Sequence, residues 1–218
     1  AVCRAMERDL SYFPPARSGL IKALQNEEQT LDYCNDMGGR PGVFWAQLLL
    51  DGRSDDDFVN NARRMGRALQ ITNILRDIAD DVADGRCYLP LTDLTAQDLL
   101  PQDLADKKNY GKLRPVIFKW IAYGVENISA SPDFIVGIPR RYFGSRASAA
   151  WPALWCLDTL YLLATAGNLL DKKRRISIPR RMIYLTILLS PLYCCSNFIF
   201  RRIVNYKAMK IKNLTPQS

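Results

Sequence analysis

The chain has 218 residues, of which 48% are hydrophobic, and it carries a formal net charge of +8. This length suits one domain or two small ones with a sizeable core, and the apolar content argues against disorder. The sequence has no histidine, which excludes histidine-based acid–base catalysis, histidine-containing triads and the usual zinc sites.

The excess of basic charge favours anionic partners, which include nucleic acid, a membrane surface and phosphorylated substrates. Six cysteines are present and none has CxxC spacing, which indicates reduced thiols in an intracellular protein. The first residues, from Ala1 to Leu10, have the pattern of the later turns of a helix. We therefore expect further sequence upstream of Ala1.

Helical periodicity dominates the chain and β alternation is scarce, so we predict a single all-α domain over residues 1–218. The first helical segment ends near Ser11. A second stretch runs from about Asn26 to Leu50 and is interrupted at residues 38–42, Gly-Gly-Arg-Pro-Gly. These residues either form a turn between helices or let another group approach the backbone closely.

The third helix is predicted to begin at an N-cap, Ser54, with Asp55–Asp57 in its first turn, and to end near Gly85. Residues 91–108 form a polar connection with short helical turns. Helices are predicted at 112–128 and 147–170, with a loop at 132–146 between them.

The C-terminal segment, residues 171–206, is basic and hydrophobic. The cations in residues 172–181 would either meet anionic lipid headgroups or form a solvated loop. Residues 182–200 are 19 mostly apolar residues, at the lower end of a membrane-spanning length. A membrane span, a helix lying in a membrane surface and a helix packed in the core remain open. The tail from Lys207 is expected to fray.

The residues that suggest chemistry are concentrated between Gln70 and Pro90. On a helix, the side chains of this stretch divide into an apolar arc and a polar arc. The apolar arc holds Ile71, Ile74, Leu75, Ile78 and Val82. The polar arc holds Gln70, Asn73, Asp77, Asp80, Asp81 and Asp84.

Four carboxylates on one arc repel one another, and Arg76 is the only cation among them. Carboxylate and amide oxygens, without His or Cys, suit Mg²⁺ and a bound diphosphate. A plain acidic surface helix explains the pattern equally well. The spacing excludes a calcium loop of the EF-hand type.

The sequence QITNILRDIADDVADGRCYLP, residues 70–90, resembles the second aspartate-rich motif of the squalene/phytoene synthase family. That motif has the pattern Q-x-T-N-I-[IL]-R-D-x-x-[ED]-D, followed by G-R-x-Y-L-P. Residues 6–10 resemble the family's M-x-x-D-L helix. Residues 32–42 resemble its Y-C segment and the glycines that follow it.

The resemblance implies an all-α isoprenoid synthase bundle that joins two farnesyl or geranylgeranyl diphosphates head to head with Mg²⁺, in squalene, hopanoid or carotenoid biosynthesis. The residues implied to bind Mg²⁺ are Asp77, Asp81 and Asn73. Asp77, Asp81 and Arg76 would be catalytic, and the substrate would be bound by Gln70, Asn73, Asp9, Arg86 and Tyr88.

An apolar cavity that shelters a carbocation is expected near Phe44, Trp45, Leu48 and Leu49. Because long prenyl products partition into lipid, we expect a cytoplasmic protein with peripheral contact at a membrane face. We expect no nucleic-acid partner, because the basic residues cluster beside hydrophobic C-terminal segments and match no nucleic-acid module.

Two departures from the family pattern stand out. The family's first aspartate-rich motif, D-x-x-x-D, does not precede Met6, so we expect the bundle and one half of the magnesium site to be N-terminally incomplete. Asp36 stands where many members have Tyr, and Gly38 and Arg40-Pro41 also differ. The alternative is therefore an inactive member or fragment that serves as a membrane-associated helical scaffold.

Overall fold

The computed structural model describes residues 2–13, 15, 19–50, 55–173 and 175–215. Helices make up most of these residues and one short two-stranded sheet accompanies them. The predicted all-α class is confirmed.

The helices are α1 (Val2–Tyr12), α2 (Glu27–Cys34), α3 (Arg40–Leu50), α4 (Asp56–Ala83), α5 (Leu91–Thr95), α6 (Tyr110–Ile128), α7 (Ser131–Gly137), α8 (Phe143–Thr165), α9 (Arg180–Leu188), α10 (Ser190–Cys195) and α11 (Asn197–Lys212). A π-helix, Asn35–Gly39, joins α2 to α3. Two 3₁₀-helices, Pro101–Ala105 and Lys107–Asn109, precede α6. The strands are β1 (Lys22–Leu24) and β2 (Arg86–Pro90).

Helix α4 lies at the centre and contacts α2, α3, α6, α7 and α8. Asp55 caps its N-terminus by accepting a hydrogen bond from the Phe58 amide at 2.9 Å. The predicted cap, Ser54, lies outside the described residues. The predicted apolar arc is confirmed, since each of its five residues is no more than 6% exposed. Burying such side chains contributes about 1.5–3 kcal/mol each, so this arc fixes the rotation of α4 about its axis.

The contact between α4 and the segment from the π-helix into α3 depends on glycine. A Cβ atom on Gly38 would collide with the Gly66 carbonyl, and one on Gly66 would collide with the Gly38 carbonyl. A Cβ on Gly42 would meet the Ala62 carbonyl in the same way. The prediction of a turn here is therefore wrong, because the chain continues as a helix with a π-turn. The alternative, a close backbone approach, is confirmed.

Strand β2, which was not predicted from the sequence, is held in place by its pairing with β1. It pairs in parallel with β1, with Lys22 opposite Arg86 and Ala23 opposite Cys87. Gly85, with φ at 82°, makes the turn between α4 and this strand. The turn carries Arg86 and Tyr88 back past the end of α4.

Differences from the predicted elements are concentrated toward the C-terminus. The predicted loop at 132–146 contains α7, and the tail expected to fray belongs to α11 as far as Lys212. The apolar run 182–200 is divided by Ser190-Pro191 and Ser196 into α9, α10 and the start of α11. None of the helices in the described ranges is both long and apolar enough to cross a membrane.

The glycine contact gives a first prediction. Gly66→Ala should lower the free energy of unfolding by roughly 1–3 kcal/mol, because the added methyl forces α4 away from the π-helix. Urea unfolding of the purified protein measures this change. The matched control is Gly144→Ala in α8, where a Cβ meets nothing within 4 Å. The control should leave stability unchanged or raise it by up to about 1 kcal/mol. Equal stability of the Gly66→Ala variant and the wild type would contradict the account.

Candidate active site

Two cavities lie along the polar arc of α4. The first, of about 390 Å³, lies between α3, α4 and α8, and Gly38, Trp45, Gln70 and Asn73 are among its lining residues. The second, of about 720 Å³, lies between α4, α8 and the segment that leads into α9, and Arg76 and Arg175 bring two cations to it. Asn73 lines both cavities, whereas the four aspartates of the polar arc are not among the lining residues of either.

The apolar residues predicted to line a cavity are only partly found there. Trp45 lines the smaller cavity together with Met37, Leu69 and Phe134. Phe44 instead lines a depression with Arg63 on another side of α3. Leu48 is 57% exposed. The prediction therefore holds for Trp45 alone.

Arg76 and Asp77 form a two-point ion pair at the edge of the larger cavity. The Arg76 Nε donates to Asp77 Oδ1 at 2.9 Å, and an Arg76 terminal nitrogen donates to Asp77 Oδ2 at 2.6 Å. Both side chains are about one-third exposed. Hydrogen bonding to Asp77 raises the pKa of Arg76 above its usual value. The arrangement keeps a cation beside the carboxylate array.

Asp81 lies one helical turn beyond Asp77. Burial, followed by the negative charge of Asp77, raises the pKa of Asp81 to about 7, and Arg86 acts in the opposite direction. Asp80 and Asp84, by contrast, are exposed. Asp77 and Asp81 are therefore the two carboxylates of the arc that lie partly out of water, and the electrostatic cost of charging both falls on Asp81.

A hydrogen-bonded cluster lies beyond Asp81. The hydroxyls of Tyr33 and Tyr88 both donate to Asp9 Oδ2, at 3.2 and 2.9 Å, and their rings stack with centroids 4.5 Å apart. Arg86, which lies in the same strand as Tyr88, extends the cluster toward Asp81, where its positive charge acts to lower the pKa of that carboxyl. Burial raises the pKa of both tyrosines, that of Tyr88 to about 12. Both hydroxyls therefore remain protonated donors at neutral pH.

The predicted site residues thus form two groups along α4. Gln70, Asn73 and Arg76 lie at the cavities, whereas Asp9, Arg86 and Tyr88 lie around the C-terminal end of the helix. Asp77 connects the groups, because it bonds Arg76 and interacts with Asp81. Asp9, which the resemblance implies to bind substrate, accepts hydrogen bonds from the two tyrosines.

The departures at positions 36 and 40 are linked. Arg40 Nε and Asp36 Oδ1 form an ion pair at 2.7 Å across one turn of the helix. The π-helix that contains Asp36 is fixed by Arg67, which donates two hydrogen bonds to Asn35 Oδ1 at 3.2 and 3.1 Å. A polar pair therefore occupies the place of the aromatic side chain that the family pattern predicts.

Sequence reasoning missed several residues. Tyr33 belongs to the Y-C segment, whose resemblance was the available signal. The indole nitrogen of Trp155 lies at the larger cavity, is buried, and has no hydrogen-bond partner among the described residues. Thr159 and Arg175 line the same cavity but come from distant parts of the chain. No sequence pattern links them to α4.

Comparison with known proteins agrees with this architecture. A family model described as squalene/phytoene synthase matches residues 1–182. The chain is 39% identical over 150 residues to a phytoene synthase of Pseudescherichia vulneris, which covers 69% of this chain and 47% of that protein. It is 31% identical over 174 residues to a 15-cis-phytoene synthase of Pantoea ananas, which covers 70% of this chain and 56% of that protein. The chain thus spans about half the length of these relatives.

Solved structures show the same fold. The complex of TcSQS with the ligand BPH1237 has a TM-score of 0.76 at 15% identity, and the alignment covers 98% of this chain and 63% of that one. The complex of TcSQS with E5700 has a TM-score of 0.70 at 16% identity and covers 98% and 66%. These likenesses support the all-α isoprenoid synthase fold. From the family match and the relatives together, the chain belongs to the squalene/phytoene synthase family.

Proposed function

We propose that residues 1–218 form a domain of a Mg²⁺-dependent prenyltransferase that joins two farnesyl or geranylgeranyl diphosphates head to head in isoprenoid biosynthesis. The observation that carries this proposal is the polar arc of α4, in which Gln70 and Asn73 lie at two cavities and Asp77 and Asp81 are partly buried carboxylates. Several relatives are phytoene synthases, which supports this reaction class.

The donor set on α4 fits magnesium. Among the described residues, no group of three or more acidic or Cys side chains is arranged to hold a metal ion. Mg²⁺ does not need such a group, because it commonly binds one or two carboxylates and completes its coordination with water and substrate phosphates. In the proposal, Asp77, Asp81 and Asn73 hold the ion. When bound, the ion would supply Lewis-acid stabilisation to the departing diphosphate.

Other residues act on the substrate directly. Breaking an allylic C–O bond leaves a carbocation and a diphosphate anion, and positive charge near the anion lowers the barrier. Arg76 is placed to support that charge beside Asp77. Gln70 and Asn73 offer amide groups that orient the diphosphate. Arg86 brings a cation near Asp81, and the Tyr88 hydroxyl is held by the hydrogen bond that it donates to Asp9.

The smaller cavity suits the apolar part of the reaction. Trp45, Met37, Leu69 and Phe134 give its walls an apolar surface. Such walls exclude water from a carbocation and leave the second prenyl chain as its partner. We also propose that the protein works in the cytoplasm with peripheral contact at a membrane, because the long-chain product is apolar.

The central prediction concerns the two partly buried carboxylates. Asp77→Asn and Asp81→Asn should each lower the rate of prenyl coupling roughly 100-fold or more, because each removes a carboxylate that would hold the Mg²⁺ ion against the leaving diphosphate. The measurement incubates the protein with Mg²⁺ and labelled farnesyl or geranylgeranyl diphosphate and quantifies C30 or C40 products.

Matched controls are Asp80→Asn and Asp84→Asn, which neutralise exposed carboxylates of the same arc. They should keep activity within a few-fold of the wild type. Full activity of the Asp77→Asn variant would contradict the assignment. Absence of any coupled product from the wild-type protein would favour the scaffold alternative.

The raised pKa of Asp81 predicts that the stability of the fold depends on pH. The ordinary pKa of an aspartate is 3.8 and that of folded Asp81 is about 7, so between these values the folded state holds a proton that the unfolded state has lost. Stability therefore falls as pH rises through this window. In metal-free buffer, Asp81→Asn should have a higher Tm than the wild type at pH 8 and an equal Tm near pH 4.

Thermal scans in EDTA measure this difference, with Asp84→Asn as the exposed control. Added Mg²⁺ should raise the Tm of the wild type at pH 8 more than that of Asp81→Asn. A lower Tm for Asp81→Asn at pH 8 without metal would show that the Asp81 charge stabilises the fold, contrary to the account.

A further inference from the structure

The outer surface formed by α9, α10 and α11 combines exposed apolar side chains with uncompensated positive charge. We call it the C-terminal face and define it by its apolar residues, which are at least 38% exposed. They are Tyr184, Leu185, Ile187, Leu188, Leu189, Leu192, Phe198, Ile199, Tyr206 and Met209. Exposed apolar side chains grouped in this way mark an interaction surface.

The opposite sides of these helices are bound to the body of the protein, and each helix contacts α8. Phe200, Val204, Ala208 and Ile211 of α11 are buried, and Lys207 forms an ion pair with Asp158 of α8. In α10, the Ser190 hydroxyl accepts a hydrogen bond from Trp151 Nε1 at 2.7 Å. The exposed apolar side chains are therefore held outward by a docked scaffold.

The positive charge around the C-terminal face indicates which kind of partner binds it. Residues 172–218 contain eleven Lys and Arg and no Asp or Glu, which exceeds the net charge of the whole chain. Arg201 pairs with Asp133 at 2.7 Å. Within the part of the chain that the structure describes, Arg180, Arg181, Arg202, Lys210 and Lys212 form no ion pair with an acidic side chain.

Along α11, Phe198, Arg202, Tyr206 and Met209 form one stripe at helical spacing and line a shallow depression of about 490 Å³. Lys210 lies 4.8 Å from the ring centre of Tyr206. Cations interleaved with aromatic and aliphatic side chains on one helix face are the arrangement of a helix that lies in a membrane interface.

A second copy of the chain fits less well. A two-fold contact through this face would bring the same cations of both copies together without a compensating carboxylate. An anionic lipid surface offers negative charge to the cations and an apolar layer to the side chains between them. We propose that the C-terminal face docks the protein on anionic bilayers, with α9 and α11 lying in the headgroup region and not crossing it.

The docked face adjoins the larger cavity. Ile183 of α9 lines that cavity together with Arg175 and Ile178, whereas the next residues, Tyr184 and Leu185, are exposed on the outer side. The helix that would lie in the lipid therefore forms part of the cavity wall. An apolar product leaving at this wall would enter the bilayer directly. Only this statement about product release rests on the proposed prenyltransferase function.

The test measures binding of the intact chain to vesicles by flotation, without Mg²⁺ or substrate, so that it is independent of catalysis. Vesicles are phosphatidylcholine alone or phosphatidylcholine with 30 mol% phosphatidylglycerol. We expect strong binding only to the anionic vesicles. Arg202→Gln with Lys210→Gln should weaken binding roughly 30-fold, about fivefold for each cation. The matched control, Lys108→Gln with Lys112→Gln, should bind as the wild type does.

A second pair of variants tests the apolar contribution. Leu188→Ser with Phe198→Ser removes two side chains that are each 74% exposed, so folding should be unaffected, and binding should fall at least tenfold. Leu10→Ser, at a residue 84% exposed in α1, is the control.

Three results would overturn the docking proposal. The first is equal binding to neutral and anionic vesicles, and the second is retained binding of either pair of variants. The third is dimerisation through this face without lipid binding. Loss of vesicle binding with intact prenyl coupling in detergent would refute docking alone. Intact vesicle binding without coupling would refute the proposed function alone.

Discussion

The backbone contact between Gly38 and Gly66 is the constraint on which the rest of the site depends. It lets the π-helix lie directly on α4, at a distance that any side chain at either position would prevent. This approach brings Trp45 of α3 and Gln70 of α4 to the walls of one cavity. A wider helix spacing would separate the polar arc from the apolar wall that the proposed reaction needs.

The apolar and polar arcs of helix α4 have different roles. Its apolar arc is anchored in the core, where Gly124 of α6 lets Ile71 and Leu160 of α8 come within van der Waals reach. Because that anchoring fixes the rotation of the helix, the polar side chains point to the cavities and toward β2. Repulsion between Asp77 and Asp81 is maintained by burial, and a cation would relieve it. The buried apolar arc thus holds the two carboxylates close to each other.

The buried face of α4 and its central motif could be predicted, because both are encoded by residues that are close together in the sequence. The 3–4 spacing from Ile71 to Val82 specifies a buried face, and the resemblance of residues 70–90 identified the central motif. The parallel strand pair was not predictable, because pairing of Lys22 with Arg86 joins residues that no local pattern connects. The larger cavity was not predictable for the same reason. Arg175, Thr159 and Asn73 line it together only because α4 packs on α8. The tyrosine pair at Asp9 likewise depends on three separate elements.

In the proposed function, Asp77 and Asp81 of α4 hold a metal–diphosphate next to Asn73 and Arg76, which lie at the two cavities. The most direct test is a crystal structure of the protein with Mn²⁺ in place of Mg²⁺ and a non-reactive prenyl diphosphate analogue. Anomalous scattering should locate the metal about 2 Å from oxygens of Asp77 and Asp81, with the diphosphate beside Asn73 and Arg76 and the prenyl chain toward Trp45. A metal–diphosphate bound away from α4, with Asp77 still paired only to Arg76, would contradict the account.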